Sequence, residues 1–225
     1  MPVRANTTAG NPSVVRSACW AIAALAVPLI AGCSGGSTPS PAAPAVSAVP
    51  VSQPGLATVT GKAPRGAVVA LEPADGVTAP PPSEAVVMDQ RGQQFIPDLL
   101  LARAGQPVEF RNGEGIVHNV YVTRGASGAV ELNVSTDPGQ TQTHTFTQPG
   151  VYEVSCDIHP SMRASLVAVN TPHAAISGDF GSYLIMNVPP GQYRLVMTFG
   201  NESVERAVEV TGTHATLDAR SGARP

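Results

Sequence analysis

Charged residues are scarce in this chain: Asp, Glu, Lys and Arg make up 13% of its 225 residues. Thirteen basic residues against sixteen acidic ones argue against a nucleic-acid binder, which would show a basic stripe. No apolar repeat of helical period is sustained anywhere, while Gly and Pro contribute 22 residues each, so helices should be few and turns many. Motifs of hydrolysis and phosphate chemistry are missing too. There is no Ser-His-Asp arrangement with local motif support, no phosphate loop and no zinc-protease helix. The length allows one large or two small domains once a leader is removed.

Cysteine is nearly absent, and the position of each one matters. Cys19 falls in a stretch with the parts of an export signal: Arg4 and Arg16, an apolar run from Ala18 to Ile30, then small residues at Ala31-Gly32. That run is shorter than the about 20 residues a permanent membrane helix needs. The ending Leu29-Ile30-Ala31-Gly32-Cys33 resembles a bacterial lipobox. The resemblance implies a signal peptide over 1–33 and a lipid anchor at Cys33. With an ordinary leader or a lipoprotein leader alike, the protein is expected outside the cytoplasm, in the periplasm or at the cell surface. Without those 33 residues the chain keeps 11 basic and 16 acidic groups, a formal charge of −5, which says little about its partner. Cys156 is then the one thiol of the folded body, so no structural disulfide is possible within it. An unpaired thiol in an oxidising compartment needs a reason, and metal ligation would protect it.

From Ser34 to Pro54 the chain carries no charge and no aromatic residue. It cannot bury enough apolar surface to offset its ordering entropy, so residues 34–55 read as a tether. Beyond it come short apolar runs bounded by Gly and Pro. Strands are expected at Ala57–Thr60, Ala67–Glu72, Ala85–Asp89, Leu99–Ala102, Pro107–Arg111 and Val117–Thr123. Further strands are expected at Thr143–Thr147, Val151–Cys156, Ala164–Val169, Ser182–Asn187, Gln192–Phe199 and Ser203–Val210. Such spacing predicts an all-β chain of antiparallel sandwiches.

The sharpest feature is Cys156-Asp157-Ile158-His159-Pro160-Ser161-Met162, with His118 upstream. Thiolate and thioether suit Cu(I), imidazole suits either copper state, and two His, one Cys and a distant Met make up a blue-copper inventory. Neither oxidation state then has its preferred geometry, so little has to move when an electron arrives or leaves. Strand alternation puts Cys156 on one face with Tyr152 and Val154, and His118 with Val120 and Val122. His159 and Met162 have helical spacing, but Pro160 disfavours the α region at the residue before it. A tight loop between two strands is therefore expected.

Residues from about Val86 to Val169 resemble a cupredoxin of the plastocyanin and amicyanin type, with a ligand loop nearest the amicyanin pattern. The pieces that carry the likeness are Phe95-Ile96-Pro97, Gly105-Gln106-Pro107-Val108-Glu109-Phe110, His118-Asn119-Val120 and Pro149-Gly150-Val151-Tyr152. The resemblance implies a Greek-key β-sandwich over 85–170 that binds one type 1 copper. His118, Cys156 and His159 are its implied equatorial ligands and Met162 the weak axial one. It also implies that Asn119 ties the two ligand loops together, and that the edge of His159, ringed by apolar residues such as Pro160, is the electron's exit. The chain departs from the family pattern at Asp157, where a hydroxyl or small neutral residue is usual. That change removes the family's support for the loop-tying bond and would lower the potential.

A second resemblance lies further on. Ile176 to Leu195, with its Val188-Pro189-Pro190-Gly191 turn and Tyr193, resembles the second half of a carboxypeptidase regulatory-like, or transthyretin-like, β-sandwich, whose hairpin ends in such a turn. Val59 to Leu71 resembles the first half. The implied arrangement is a discontinuous domain, 56–76 with 171–217, into which the copper domain is inserted; two separate domains in sequence are the alternative. Residues 218–225 read as a disordered tail.

The function expected is that of an extracytoplasmic carrier of single electrons between redox proteins, held to a membrane through Cys33. No nucleic acid or small-molecule substrate is expected. Alternatives are a copper-holding or copper-delivery lipoprotein that does not cycle, or an adhesion module with a decayed site. Copper enzymes need further histidines for a catalytic metal, and the whole chain has five, so an enzyme is not expected.

Overall fold

The computed structural model describes residues 53–219. The leader over 1–33, Cys33, most of the tether and residues 220–225 lie outside that range. Among the described residues there are sixteen strands, one short 3-10 turn at Gly125–Ser127, and no helix long and apolar enough to cross a membrane.

Two strands open the described chain, β1 (Ala57–Lys62) and β2 (Val68–Pro73). Next come β3 (Val86–Arg91), β4 (Gln94–Ile96), β5 (Leu99–Arg103), β6 (Pro107–Asn112) and β7 (His118–Arg124). They are followed by β8 (Ala129–Thr136), β9 (Thr141–Thr145), β10 (Gly150–Ser155) and β11 (Arg163–Val169). The last five are β12 (Ala174–Ile176), β13 (Ser182–Val188), β14 (Gly191–Phe199), β15 (Glu202–Val210) and β16 (His214–Thr216).

Strands β3 to β11 make two sheets, ordered β4-β3-β6-β9 and β5-β11-β10-β7-β8. Between them lies a core that includes Met88, Phe110, Val120, Val122, Phe146, Tyr152 and Leu166. The remaining strands make sheets ordered β13-β1-β16 and β12-β2-β14-β15, with Val59, Leu71, Tyr183, Ile185 and Leu195 between them. This flanking sandwich draws on both ends of the described chain, since β1 pairs with β13 and β16, and β2 with β12 and β14.

Two strands join the sandwiches because they are buried on both faces. In β2, Val69 and Leu71 enter the flanking core, while Val68 and Ala70 pack on Val167 and Val169 of β11. In β11, Leu166 and Ala168 face the central core in turn. Unbroken apolar runs such as Ala67-Val68-Val69-Ala70-Leu71 are the mark of strands covered on both sides. Each fully buried Val or Leu contributes about 1.5–3 kcal/mol relative to exposure. Arg103 adds a polar clasp: its guanidinium donates to the Ala79 carbonyl at 2.6 Å and the Asn170 carbonyl at 3.1 Å, one on each connection between the sandwiches.

A shared corner closes one end of each sandwich. The motif Pro-Gly-x-Tyr occurs at 149–152 and 190–193, and each Tyr hydroxyl donates to a carbonyl four residues back: Tyr152 to Gln148 at 2.7 Å, Tyr193 to Pro189 at 2.8 Å. This is the geometry of the tyrosine corner of β-sandwiches. The Val-Pro-Pro-Gly turn joins β13 to β14 in different sheets, so it is a crossing between layers and not a hairpin within one.

The structure corrects the strand expectations in three ways. β8 was not expected, although Val130, Leu132 and Val134 alternate with polar residues; Leu132 and Val134 pack on the core, and Val130 is exposed. β9 begins two residues earlier than expected, which frees Phe146 to enter the core beyond it. β4, β12 and β16 have three residues each, too few for an alternation to register. Both ends of the flanking sandwich also reach further than expected. The Gln53 N–H donates to Asn187, and Ala219 is buried with its N–H on the Lys62 carbonyl, so neither 53–55 nor 218–219 is free chain.

Candidate metal centre

The ends of two neighbouring strands bring the predicted residues together. β7 and β10 pair antiparallel with Tyr121 opposite Ser155, so the start of β7 and the end of β10 share one edge of the sheet. His118 is the first residue of β7, and Cys156 follows the last residue of β10. Inward alternation buries both completely or nearly so, at 0% and 3% exposure.

His159 reaches the same point from the loop after Cys156. The two imidazole Nδ1 atoms of His118 and His159 are 3.0 Å apart, and Cys156 Sγ lies 4.0 Å from the first and 3.8 Å from the second. No donor atom of the three is more than 4.8 Å from another. A point in their plane equidistant from all three is about 2.1 Å from each, between the roughly 2.0 Å of imidazole and 2.3 Å of thiolate bonds to a first-row ion. The three residues therefore fit one trigonally held metal ion.

The loop itself is a closed turn, with no helix. The Cys156 N–H donates to the Met162 carbonyl at 3.2 Å, and the Met162 N–H to the His159 carbonyl at 2.9 Å. Met162 is fully buried among the core residues that line this end of the sandwich. On the outer side Ile158 and Pro160 are exposed, as are Ile116 and Val117 just before His118. Both histidines are thus flanked by apolar residues open to solvent.

Sequence reasoning missed Glu114. Its Oε2 is 2.7 Å from His118 Nε2, so the imidazole donates there and keeps its lone pair on Nδ1, facing the cluster. Its Oε1 accepts the Gln93 N–H at 2.8 Å. The bond from His118 is the main reason its carboxyl is held below the ordinary range, and the Gln93 N–H is next. The loop carrying Glu114 is fixed by buried Asn112, whose Oδ1 accepts the Glu114 N–H and whose amide donates to Ile116 and Thr136. A carboxylate four residues before a candidate ligand was the signal available, but outside a helix that spacing dictates no contact.

Asn119 and Asp157 are joined directly. Asn119 Oδ1 accepts the Asp157 N–H at 2.6 Å, and its amide donates to Asp157 Oδ2 at 3.0 Å. The loop-tying bond is therefore present with Asp157 in place: the backbone N–H that makes the first bond is there whatever the side chain, and the carboxylate supplies a second acceptor.

Comparison with known proteins points the same way. The family of copper binding proteins of the plastocyanin/azurin type matches residues 83–170. Amicyanin from Paracoccus denitrificans is 30% identical over 112 residues, covering 49% of this chain and 77% of that protein. Plastocyanin from Ulva prolifera is 32% identical over 81 residues, covering 32% of this chain and 80% of that protein. A solved amicyanin structure from Paracoccus versutus aligns at 25% identity with a TM-score of 0.35, over 47% of this chain and 99% of that one. With a thiol and two imidazoles gathered at the end of a β-sandwich, and with relatives of this kind, the chain belongs to the plastocyanin/azurin family of copper-binding proteins.

Proposed function

We propose that this protein is an extracytoplasmic type 1 copper protein that carries single electrons between redox proteins and is not an enzyme. The observation that carries the reading is the triangle of His118 Nδ1, His159 Nδ1 and Cys156 Sγ, set on strand ends and already the size of one ion's donor shell. In this reading those three residues would hold a single copper, with Met162 as a further, weaker ligand. The metal, when bound, supplies a one-electron couple in a site that suits neither oxidation state fully. The chain's own residues do the rest. Glu114 holds the tautomer of His118, and Asn119 with Asp157 ties the Cys156 loop to the strand of His118. Burial of Cys156 and Met162 keeps water from both sulfur atoms.

The exposed apolar residues Ile116, Val117, Ile158 and Pro160 beside the histidines form the face on which a protein redox partner docks, close to His159 as the exit for the electron. Pairing of β1 with β13 and β16, and of β2 with β12 and β14, supports reading 56–76 and 171–217 as one carboxypeptidase regulatory-like domain with the copper domain inserted. Anchoring through lipid at Cys33 rests on the leader sequence alone.

Cu(II) added to the purified protein tests the central point. An intense blue thiolate-to-copper absorption band is expected, absent in Cys156→Ser, together with a reversible one-electron wave in voltammetry. A colourless complex sinks the proposal, and facile loss of Cu(I) to a mild chelator turns it toward copper delivery.

A further inference from the structure

The β3–β4 hairpin reaches the metal centre through Glu114. Its two-residue loop, Gly92-Gln93, joins the paired residues Arg91 and Gln94, and both loop residues have positive φ, 60° and 53°. Such a loop matches the twist of a hairpin. A glutamine there is sterically disfavoured, because its Cβ crowds the following carbonyl. This conformation turns the Gln93 N–H toward Glu114, where it donates to Oε1 at 2.8 Å. The other oxygen of the same carboxylate receives His118 Nε2–H at 2.7 Å. Asp89, on β3, pins the neighbouring chain to the same hairpin by accepting the Gly113 N–H at 3.0 Å and the Gln90 N–H at 2.9 Å.

One carboxylate thus joins an exposed turn to a fully buried imidazole. Glu114 is itself partly exposed, and without the turn's backbone donors the His118 Nε2–H is the contact left to hold its carboxylate. We infer that the Gly92-Gln93 turn is a positioning element of the metal centre: by holding Glu114 in place it sets the orientation of the His118 ring and keeps a negative charge against its Nε2. The inference rests on the copper reading above. It uses none of the contacts between Asn119 and Asp157.

Gly92 has open space where a Cβ would go. The Cβ of Gly92→Val therefore meets no neighbour, and its branched side chain disfavours positive φ, whereas Gly92→Asn tolerates that conformation. In the full-length copper protein, Gly92→Val is expected to raise the reduction potential in the same direction as Glu114→Ala and to change the copper hyperfine splitting of the Cu(II) electron spin resonance. It also speeds solvent exchange of the His118 Nε2 proton in the nuclear magnetic resonance spectrum of the Cu(I) protein. Gly92→Asn leaves all three at wild-type values. In a Glu114→Ala background Gly92→Val has no further effect, because the group the turn positions is gone. An equal shift with and without Glu114 overturns the inference, as does a folded blue Gly92→Val protein with wild-type potential and exchange. Gly92→Ala carries the same comparison if the valine variant does not fold. A wild-type protein that binds no copper overturns the copper reading itself, a result distinct from a blue wild type whose turn variants are silent.

Discussion

Asn119 and Asp157, 38 residues apart in sequence, grip each other through two hydrogen bonds, backbone N–H to side-chain carbonyl at 2.6 Å and side-chain amide to carboxylate at 3.0 Å. Asn119 follows the candidate ligand His118, and Asp157 follows Cys156, so this pair links the two strand ends behind the metal centre. Asn119→Ala removes both bonds and leaves the Asp157 N–H without that partner. It is expected to cost about 1–3 kcal/mol of stability and to speed loss of bound copper, read by thermal unfolding and by competition with a chelator.

The carboxylate of Asp157 has a separate electrostatic effect. It is exposed, but it stands next to Cys156, and a negative charge there favours Cu(II) over Cu(I). Asp157→Ser keeps the backbone N–H that Asn119 accepts and removes the charge. The reduction potential should rise by on the order of 40 mV, equivalent to about 1 kcal/mol for one electron after solvent screening. An unchanged or lowered value in voltammetry contradicts this.

Met162 is fully buried, so a leucine of similar volume should fit its place at a cost below about 1.5 kcal/mol. If Met162 is a ligand, its loss lowers the number of donors, which costs Cu(II) more than Cu(I), and Met162→Leu is expected to raise the potential with the blue colour retained. If the variant binds no copper at all, Met162 does more than weak axial ligation.

Each tyrosine corner should have a local price in stability. Tyr152→Phe and Tyr193→Phe delete one hydroxyl while keeping the buried ring, and leave the Gln148 or Pro189 carbonyl without that donor. Each is expected to cost roughly 0.5–1.5 kcal/mol in denaturant unfolding, with the absorption spectrum of the copper unchanged.

His173, between β11 and β12, gives a pH dependence whose sign follows from its surroundings. Its ring packs edge-on against Tyr193, and burial first and the positive charge of Arg103 second hold its pKa below the ordinary value. Proton binding is then weaker in the folded protein than in the unfolded chain. The contribution is complete above the unfolded value of about 6.5 and is lost as pH falls through it toward the lower folded value. The thermal midpoint of the wild type should fall relative to that of His173→Gln between pH 7.5 and pH 5; parallel curves for the two contradict the assignment.

Much of the architecture is legible locally. Alternation in Gly150–Ser155 points Tyr152 and Val154 inward, and continuous apolar runs mark β2 and β11 as buried on both faces. The cluster is legible in part, because Cys156, His159 and Met162 lie within one short loop and His118 shares its strand face with Val120 and Val122. Glu114 was not legible. Its contact with His118 depends on a loop pinned by Asn112 and on a hairpin turn 21 residues earlier, and no local pattern encodes either. The Asn119–Asp157 bond is not legible from the side chain at 157, because its first donor is a backbone N–H that every residue type there would supply.

By itself the sequence determined the all-β class, the turns, the lone thiol of the described body and the residue types of a copper site, since each follows from composition or from spacing within a few residues. Only the tertiary structure decided that His118 Nδ1 would meet Cys156 Sγ and His159 Nδ1 about a common point, that Glu114 would stand behind His118, and that one sandwich would be built from both ends of the described chain. Those are distances between segments far apart in sequence. They are set by strand register and by the packing of sheet on sheet, which residue-by-residue preferences leave open.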